Sequence, residues 1–492
     1  MEINGSENHE KTGLFSQRWS GIKALSKRLE DRVVGIGSKT MKLGKDDPRR
    51  IVHSFKVGLA LSLVCIFYYF KPVYDSYGDS AIWAVLTVVV VFEFSVGATL
   101  GKCINRGFAT LLAGALGIGA HELATLAGEK GEPIILSVLV FLLATAATFS
   151  RFFPRIKARY DYGVVVFILT FSLVSVSGYR VDEILEVAHQ RLSTVAIGGM
   201  ICVVVSIMVC PVWAGEDLHK LVAFNIEKIA DFLEGFGGEY FAREGDGEST
   251  VASKSDKSFL KGYKSALNSR ALEESLANFA QWEPFHGHFM FHHPWNQYLK
   301  IGALTRQCAY QVEALNIYVN SDIQVPEEFK KKIQEACTNM SLETGMALRE
   351  LASGIRTMTQ DHATNIHVSN SKSAAENLKT NLMTTALPAY TDLTRIIPAA
   401  TVSSLLVEIV SCTEVLAESV HELARLAKFK SVDPTVSPDR PKQTQLLHRG
   451  TVNPFCDSSG PHTLISVCEL PSAVLPENVN IQNPVRGQHM QV

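Results

Sequence analysis

Pro133–Phe149 reads PIILSVLVFLLATAATF and Tyr162–Gly178 reads YGVVVFILTFSLVSVSG, each 17 residues long without one charged side chain. An α-helix of that length reaches across a hydrocarbon core of about 30 Å, and water-soluble cores seldom need so uniform an apolar surface. Four further apolar runs surround this pair, at Ile51–Phe70, Ala81–Val96, Gly107–Ala127 and Arg191–Trp213. These are less pure, carrying Lys56, Glu93, His121 with Glu122, and Arg191 in or beside the run. Six such runs within residues 51–213 predict an all-α, polytopic membrane protein with six transmembrane helices.

Composition agrees when read along the chain. The 492 residues hold 47 Lys+Arg against 49 Asp+Glu, so there is no basic surplus for nucleic acid and none is expected as a partner. The nine cysteines form no CxxC pair and no regular spacing, which gives neither a disulfide framework nor a zinc signature. Residues 1–50 are polar and basic and read as a cytosolic arm. Past Trp213 the pattern becomes that of a helical domain over residues 214–430, followed by a Pro/Ser/Asn/Gln-rich tail at 431–492 that reads as disordered. Val402, Leu405, Leu406, Ile409, Cys412, Leu416, Val420, Leu423 and Ala427 make one stripe at steps of three and four, and Pro326-Glu327-Glu328 opens another helix.

Cytoplasmic loops retain Lys and Arg, which fixes orientation. With the N-terminus inside, the inner side collects Arg32, Lys39, Lys42, Lys45, Arg49, Arg50, Lys102, Arg106, Arg151, Arg155, Lys157, Arg159, Lys220 and Lys228. The outer side holds Lys71, Lys130, Arg180 and Arg191. Both termini and the helical domain are therefore expected in the cytosol, with the outer loops short and acidic.

No phosphate loop or catalytic constellation is present, so neither an enzyme nor an ATP-driven pump is expected, and no cofactor. Gly117-Ile118-Gly119 lacks the preceding strand and third glycine of a dinucleotide loop and reads as helix packing. In Trp282-Glu283-Pro284-Phe285-His286-Gly287-His288 and on to His292-His293-Pro294-Trp295, four histidines invite a metal reading. The interleaved aromatics read better as a packed turn, so no metal is assigned.

The arginines at the span ends are more informative. On a helix, Arg106 shares a face with Ala109, Thr110, Ala113, Gly114, Gly117 and His121, while Arg191 shares one with Thr194, Val195, Gly198, Gly199 and Cys202. A guanidinium at membrane depth must face water, a partner or headgroups. Small residues beneath it make room either for a neighbouring helix or for an aqueous path. In the second case the fixed positive charge favours anions, and the planar fork fits carboxylates. Arg106 and Arg191 are thus candidate stations near the cytosolic and outer ends of an anion path, with Lys56 a third. Glu93 is expected to pair with Lys102 or Arg106, either holding it in place for the path or as a structural ion pair alone.

Several motifs resemble the plant aluminium-activated malate transporter family. They are Phe92-Glu93-Phe94-Ser95-Val96-Gly97-Ala98-Thr99-Leu100-Gly101-Lys102 continuing to Asn105-Arg106-Gly107, Asp47-Pro48-Arg49-Arg50, Arg191-Leu192-Ser193-Thr194, and Cys210-Pro211-Val212-Trp213-Ala214-Gly215. Trp282-Glu283-Pro284 is similar to the WEP motif of that family's cytosolic domain. The resemblance implies an anion channel that passes malate and other anions, built as a homodimer in the plasma or vacuolar membrane, the plasma membrane being preferred here. A proton-coupled organic or aromatic acid exporter, and a scaffold merely anchored in the bilayer, are the alternatives. Aluminium, a hard cation, would seek carboxylates, and Asp75, Asp182 and Glu186 are the outer candidates.

Overall fold

The computed structural model describes residue 28 and residues 31–69, 82–178, 184–241, 257–290, 292–319, 326–360, 363–384 and 393–431. The protein is all-α among these residues, apart from a two-residue parallel ladder pairing β1 (Thr359–Gln360) with β2 (Lys430–Ser431). Internal packing divides the chain into residues 1–54 with 443–492, and residues 55–442. In the first unit residues 31–46 are helical, and Asp47 accepts the Arg49 amide at 3.1 Å to start the next helix.

Helices occupy all six apolar runs: α1 (Pro48–Tyr69), α2 (Ile82–Val91), α3 (Val96–Thr125), α4 (Gly128–Ser150), α5 (Asp161–Gly178) and α6 (Ile184–Met208). By length and apolarity, α3, Lys130–Ser150 of α4 and His189–Met208 of α6 can each cross a membrane, while α2 and α5 are shorter apolar helices. Only 6% of the apolar window of α4 is buried, so Ile134, Val138, Phe141 and Leu142 face outward. Such a surface is stable against lipid and costly against water.

Two boundaries differ from the sequence reading. The second run ends at Val91, not Val96, and the third helix begins at Val96, eleven residues before Gly107. Ser95 causes the change: its hydroxyl accepts the Ala98 amide at 3.3 Å and caps a new helix. The charges that made residues 96–106 look like a loop are accommodated inside that helix by partners, Glu93 for Lys102 and Tyr162 for Arg106.

Packing follows chain direction. Gly163 of α5 meets Asn105 of α3, and Val174 meets Gly117 twelve residues further along α3, so α3 and α5 run parallel. Likewise Arg191 lies over Trp83, and Gly198 meets Ala84 and Thr87, so α2 and α6 run parallel. Both relations are what alternating crossings require. Ala60, Val64, Ala84, Val88, Cys202 and Val205 form the core of α1, α2 and α6, and Ala113, Ala120, Leu136 and Phe171 that of α3, α4 and α5.

Beyond a break at Val209–Trp213 come α7 (Ala214–Phe241), α8 (Arg270–Ala280), α9 (Trp295–Val319), α10 (Glu327–Thr357), α11 (Ala363–Thr384) and α12 (Leu393–Ala427). Leu218, Val222, Ile226, Ile229, Leu233 and Phe236 give α7 a fully buried stripe against α10, and Leu406, Ile409, Leu416 and Leu423 do the same for α12. Ile396–Ala427 of α12 is also long and apolar enough to span a membrane. Its apolar side is covered within this core, however, while Glu408, Glu418 and Arg425 stand exposed on the other, which is the pattern of an amphipathic helix packed against a core.

A Cβ on Gly198 would lie 2.8 Å from the Ala84 carbonyl oxygen, a backbone atom that cannot swing away, whereas one on Gly119 would meet nothing within 4 Å. Gly198→Ala is therefore expected to lower the thermal unfolding midpoint of the detergent-purified protein, by an overpacking cost of about 1–3 kcal/mol. Gly119→Ala should leave it unchanged or raise it. Equal midpoints for the two variants would refute the close α2–α6 approach.

Candidate functional site

Arg106 and Arg191 are both buried, at 5% and 8% exposure. Helix register brings them together. Cys103 Sγ of α3 reaches Gly199 O of α6 at 3.5 Å, which sets one common level. From there Arg106 lies three residues along α3 and Arg191 eight residues back along the opposed α6. At 1.5 Å per residue the two Cα positions are offset by roughly 7–8 Å along the bundle. The sequence reading put them at opposite ends of a path; the long start of α3 is what moves Arg106 inward.

Each charge is held without being neutralised. Arg106 Nη1 donates to Tyr162 Oη at 3.0 Å, and its Nε has no partner among the described residues. The Arg191 guanidinium carbon sits 3.8 Å from the centroid of the Trp83 ring, a cation–π contact. Among the described residues neither arginine has a carboxylate within salt-bridge distance. Tyr162 and Trp83 were not singled out from the sequence, where each is only an aromatic at the head of an apolar run.

The other expected residues separate. Glu93 pairs with Lys102, both about one-third exposed, and Lys102 Nζ also lies 5.5 Å from the Tyr162 ring centroid. Lys56 is buried and donates to the Cys210 carbonyl at 2.9 Å, tying α1 to the break after α6. The small-residue faces are filled by neighbouring helices: Gly117 abuts Val174, and Gly198 abuts α2. Of the outer carboxylates, Asp75 and Asp182 lie outside the described residues, and Glu186 is placed only by its backbone, in the first turn of α6.

Trp282-Glu283-Pro284 forms a second constellation. The Glu283 carboxylate accepts Ala214 N at 2.6 Å through one oxygen and Gly215 N at 3.0 Å through the other, and its side chain lies against Gly97, whose amide also favours the ionised form. One buried anion thus satisfies the N-termini of both α3 and α7, where orphan amides and the helix dipoles favour negative charge. Val96 N donates to Val212 O at 2.9 Å and joins the same two starts. Glycine is required here for close approach. A Cβ on Gly97 would fall 2.3 Å from Phe279 O, and one on Gly215 would fall 2.4 Å from the Trp295 ring. Trp282 covers Gly101, with the Arg159 guanidinium 4.8 Å from its ring.

The histidines serve this turn. His286 stacks on Trp213 at 3.8 Å, with Nε2 3.8 Å from Glu283 Oε2. His293 Nε2 and His219 Nδ1 both contact Tyr298 Oη, at 3.3 and 2.8 Å. Burial holds both below the usual imidazole range, His293 at about 4, so they stay neutral near pH 7.

With that geometry in view, the comparisons are consistent. The family described as aluminium activated malate transporter matches residues 41–388. The chain belongs to that family. It is 56% identical over 401 residues to aluminum-activated malate transporter 2 of Arabidopsis thaliana, covering 82% of this chain and 80% of the relative. It is 50% identical over 440 residues to transporter 7 of the same plant, covering 84% and 86%, and 47% identical over 424 residues to transporter 1 of Triticum aestivum, covering 84% and 90%. Family membership and the apolar helices together make this a membrane protein.

Burial raises the Glu283 carboxyl to about 7 despite the three backbone donors that favour its anion. An acid whose folded pKa lies above its unfolded value binds more protons folded than unfolded between the two. Stability therefore falls as pH rises from about 4.5 to about 7 and is level above, a change on the order of 3 kcal/mol. Thermal midpoints of the wild type and Glu283→Gln across pH 4.5–8 should show their difference changing within that window. A pH-independent difference would contradict the assignment.

Proposed function

We propose that this protein is an anion channel that passes malate and other anions across a plant membrane. The six helices α1–α6 are its transmembrane spans, and both termini and the α7–α12 domain lie in the cytosol. The observation that carries the reading is the pair of buried guanidiniums of Arg106 and Arg191 in one bundle, neither with a carboxylate within salt-bridge distance among the described residues. Arginine stays protonated at any physiological pH, so an uncompensated pair inside a bundle is stable only where an anion or water reaches it. A dicarboxylate supplies two negative charges, one for each fork. The relatives' naming as malate transporters supports the same substrate.

The alternating helix directions and the basic residues at the α3 start and between α4 and α5 support the inside-facing termini. A homodimer, the plasma membrane, and outer contacts for aluminium at Asp75, Asp182 and Glu186 belong to the proposal on the strength of the resemblance. In this reading Lys56 and the Lys102–Glu93 pair shape the cytosolic end, and Tyr162 and Trp83 position the two arginines.

Whole-cell recording with malate inside tests the pore. Arg106→Ala and Arg191→Ala should each reduce inward current, carried by malate efflux, at least tenfold at equal surface density. Lys102→Ala should reduce it less. Wild-type malate current in both arginine variants would refute the assignment, and a flux that required a proton gradient would replace the channel by a coupled exporter.

A further inference from the structure

Outside the membrane helices, Cys308 of α9 and Cys412 of α12 meet in the core of the helical domain. Their Sγ atoms are 2.6 Å apart, well inside the roughly 3.5–4.0 Å of ordinary non-bonded heavy-atom contact and near the approximately 2.05 Å of a bond. The Cys308 thiol points at Cys412, and Cys412 in turn reaches the Leu304 carbonyl at 3.8 Å. Cys308 is fully enclosed and Cys412 retains 6% exposure. Cys337, the other buried thiol of this core, has the Ser403 hydroxyl 3.6 Å away instead. Only one pair of thiols in this core is therefore set for joining among the described residues.

We propose that Cys308 and Cys412 form a thiol-oxidation site at which hydrogen peroxide closes a reversible disulfide between α9 and α12. Cys412, the less enclosed residue of the two, attacks a peroxide oxygen as the thiolate. The O–O bond breaks, the departing hydroxide takes up the Cys412 proton as water, and Cys412 becomes a sulfenic acid. The Cys308 sulfur then attacks that sulfur. Its S–O bond breaks, and the second hydroxide leaves with the Cys308 proton as water. Two thiols lose two electrons and two protons, and one peroxide becomes two waters. Thiol exchange with a cellular dithiol reverses the bond, as expected for a disulfide in a reducing compartment.

The position gives the bond something to act on. Trp295 and Tyr298, in the first turns of α9, back the joint: Trp295 packs against Gly215 and Tyr298 holds His219. Cross-linking α9 to α12 fixes the helix that supports the Glu283 cap and restrains a denatured-chain loop of about a hundred residues.

Peptide mapping of the full-length detergent-purified protein tests the site. After peroxide treatment, alkylation and digestion without reductant, a linked peptide containing Cys308 and Cys412 should appear and vanish on adding dithiothreitol, while Cys337 remains alkylatable. Peroxide should also raise the thermal midpoint of the wild type by several degrees and leave Cys412→Ser unmoved. Should Cys412→Ser fail to fold, the wild-type peptide map decides. Free thiols at both positions under peroxide that oxidises other cysteines, or higher oxides of either without a linked peptide, would overturn the proposal.

Discussion

Two guanidiniums that cannot lose their protons lie buried in one helix bundle, and the arrangement of α2, α3, α5 and α6 follows from holding them there. Tyr162 hydrogen-bonds Arg106 and the Trp83 face receives Arg191. Both contacts orient a positive charge without cancelling it. The same chain neutralises arginine elsewhere: Arg306 meets the buried Glu273 at 2.5 Å, and Arg349 binds Asp231 and Glu234 at 2.9 and 2.7 Å. The contrast separates a stabilising pair, which needs its carboxylate, from Arg106 and Arg191, which have none within salt-bridge distance among the described residues.

Glu283 is the buried carboxylate among the contacts that join the α1–α6 bundle to the helical domain, beside Trp282 on Gly101 and Asn278 on the Ala158 carbonyl. Glu283 reaches the first amides of α3, the helix that carries Arg106, and of α7, which continues from α6 and Arg191. Burial opposes the ionised form of Glu283 and the three amides favour it, so the joint's strength depends on pH near neutrality.

The helical class and the positions of the six apolar segments were legible because apolar runs of membrane length have few other readings. The stripe from Val402 to Ala427 was likewise legible from its spacing. The start of α3 was not, since Lys102 and Arg106 look like loop residues until Glu93 and Tyr162 are seen beside them. Periodicity shows which residues share a face but not which helix will cover it. Hence Arg106 and Arg191 were found as residues, yet their proximity depends on the Cys103–Gly199 register and could not be read. The cap made by Glu283 and the thiol pair 104 residues apart are long-range for the same reason.

Charge restoration at a single position tests the central claim most directly. In Arg191→Cys, malate current should be low, should recover on modification with a cationic methanethiosulfonate, and should stay low with an anionic one of similar size. Equal responses to the two reagents, or wild-type current before either is added, would contradict an anion path governed by these arginines.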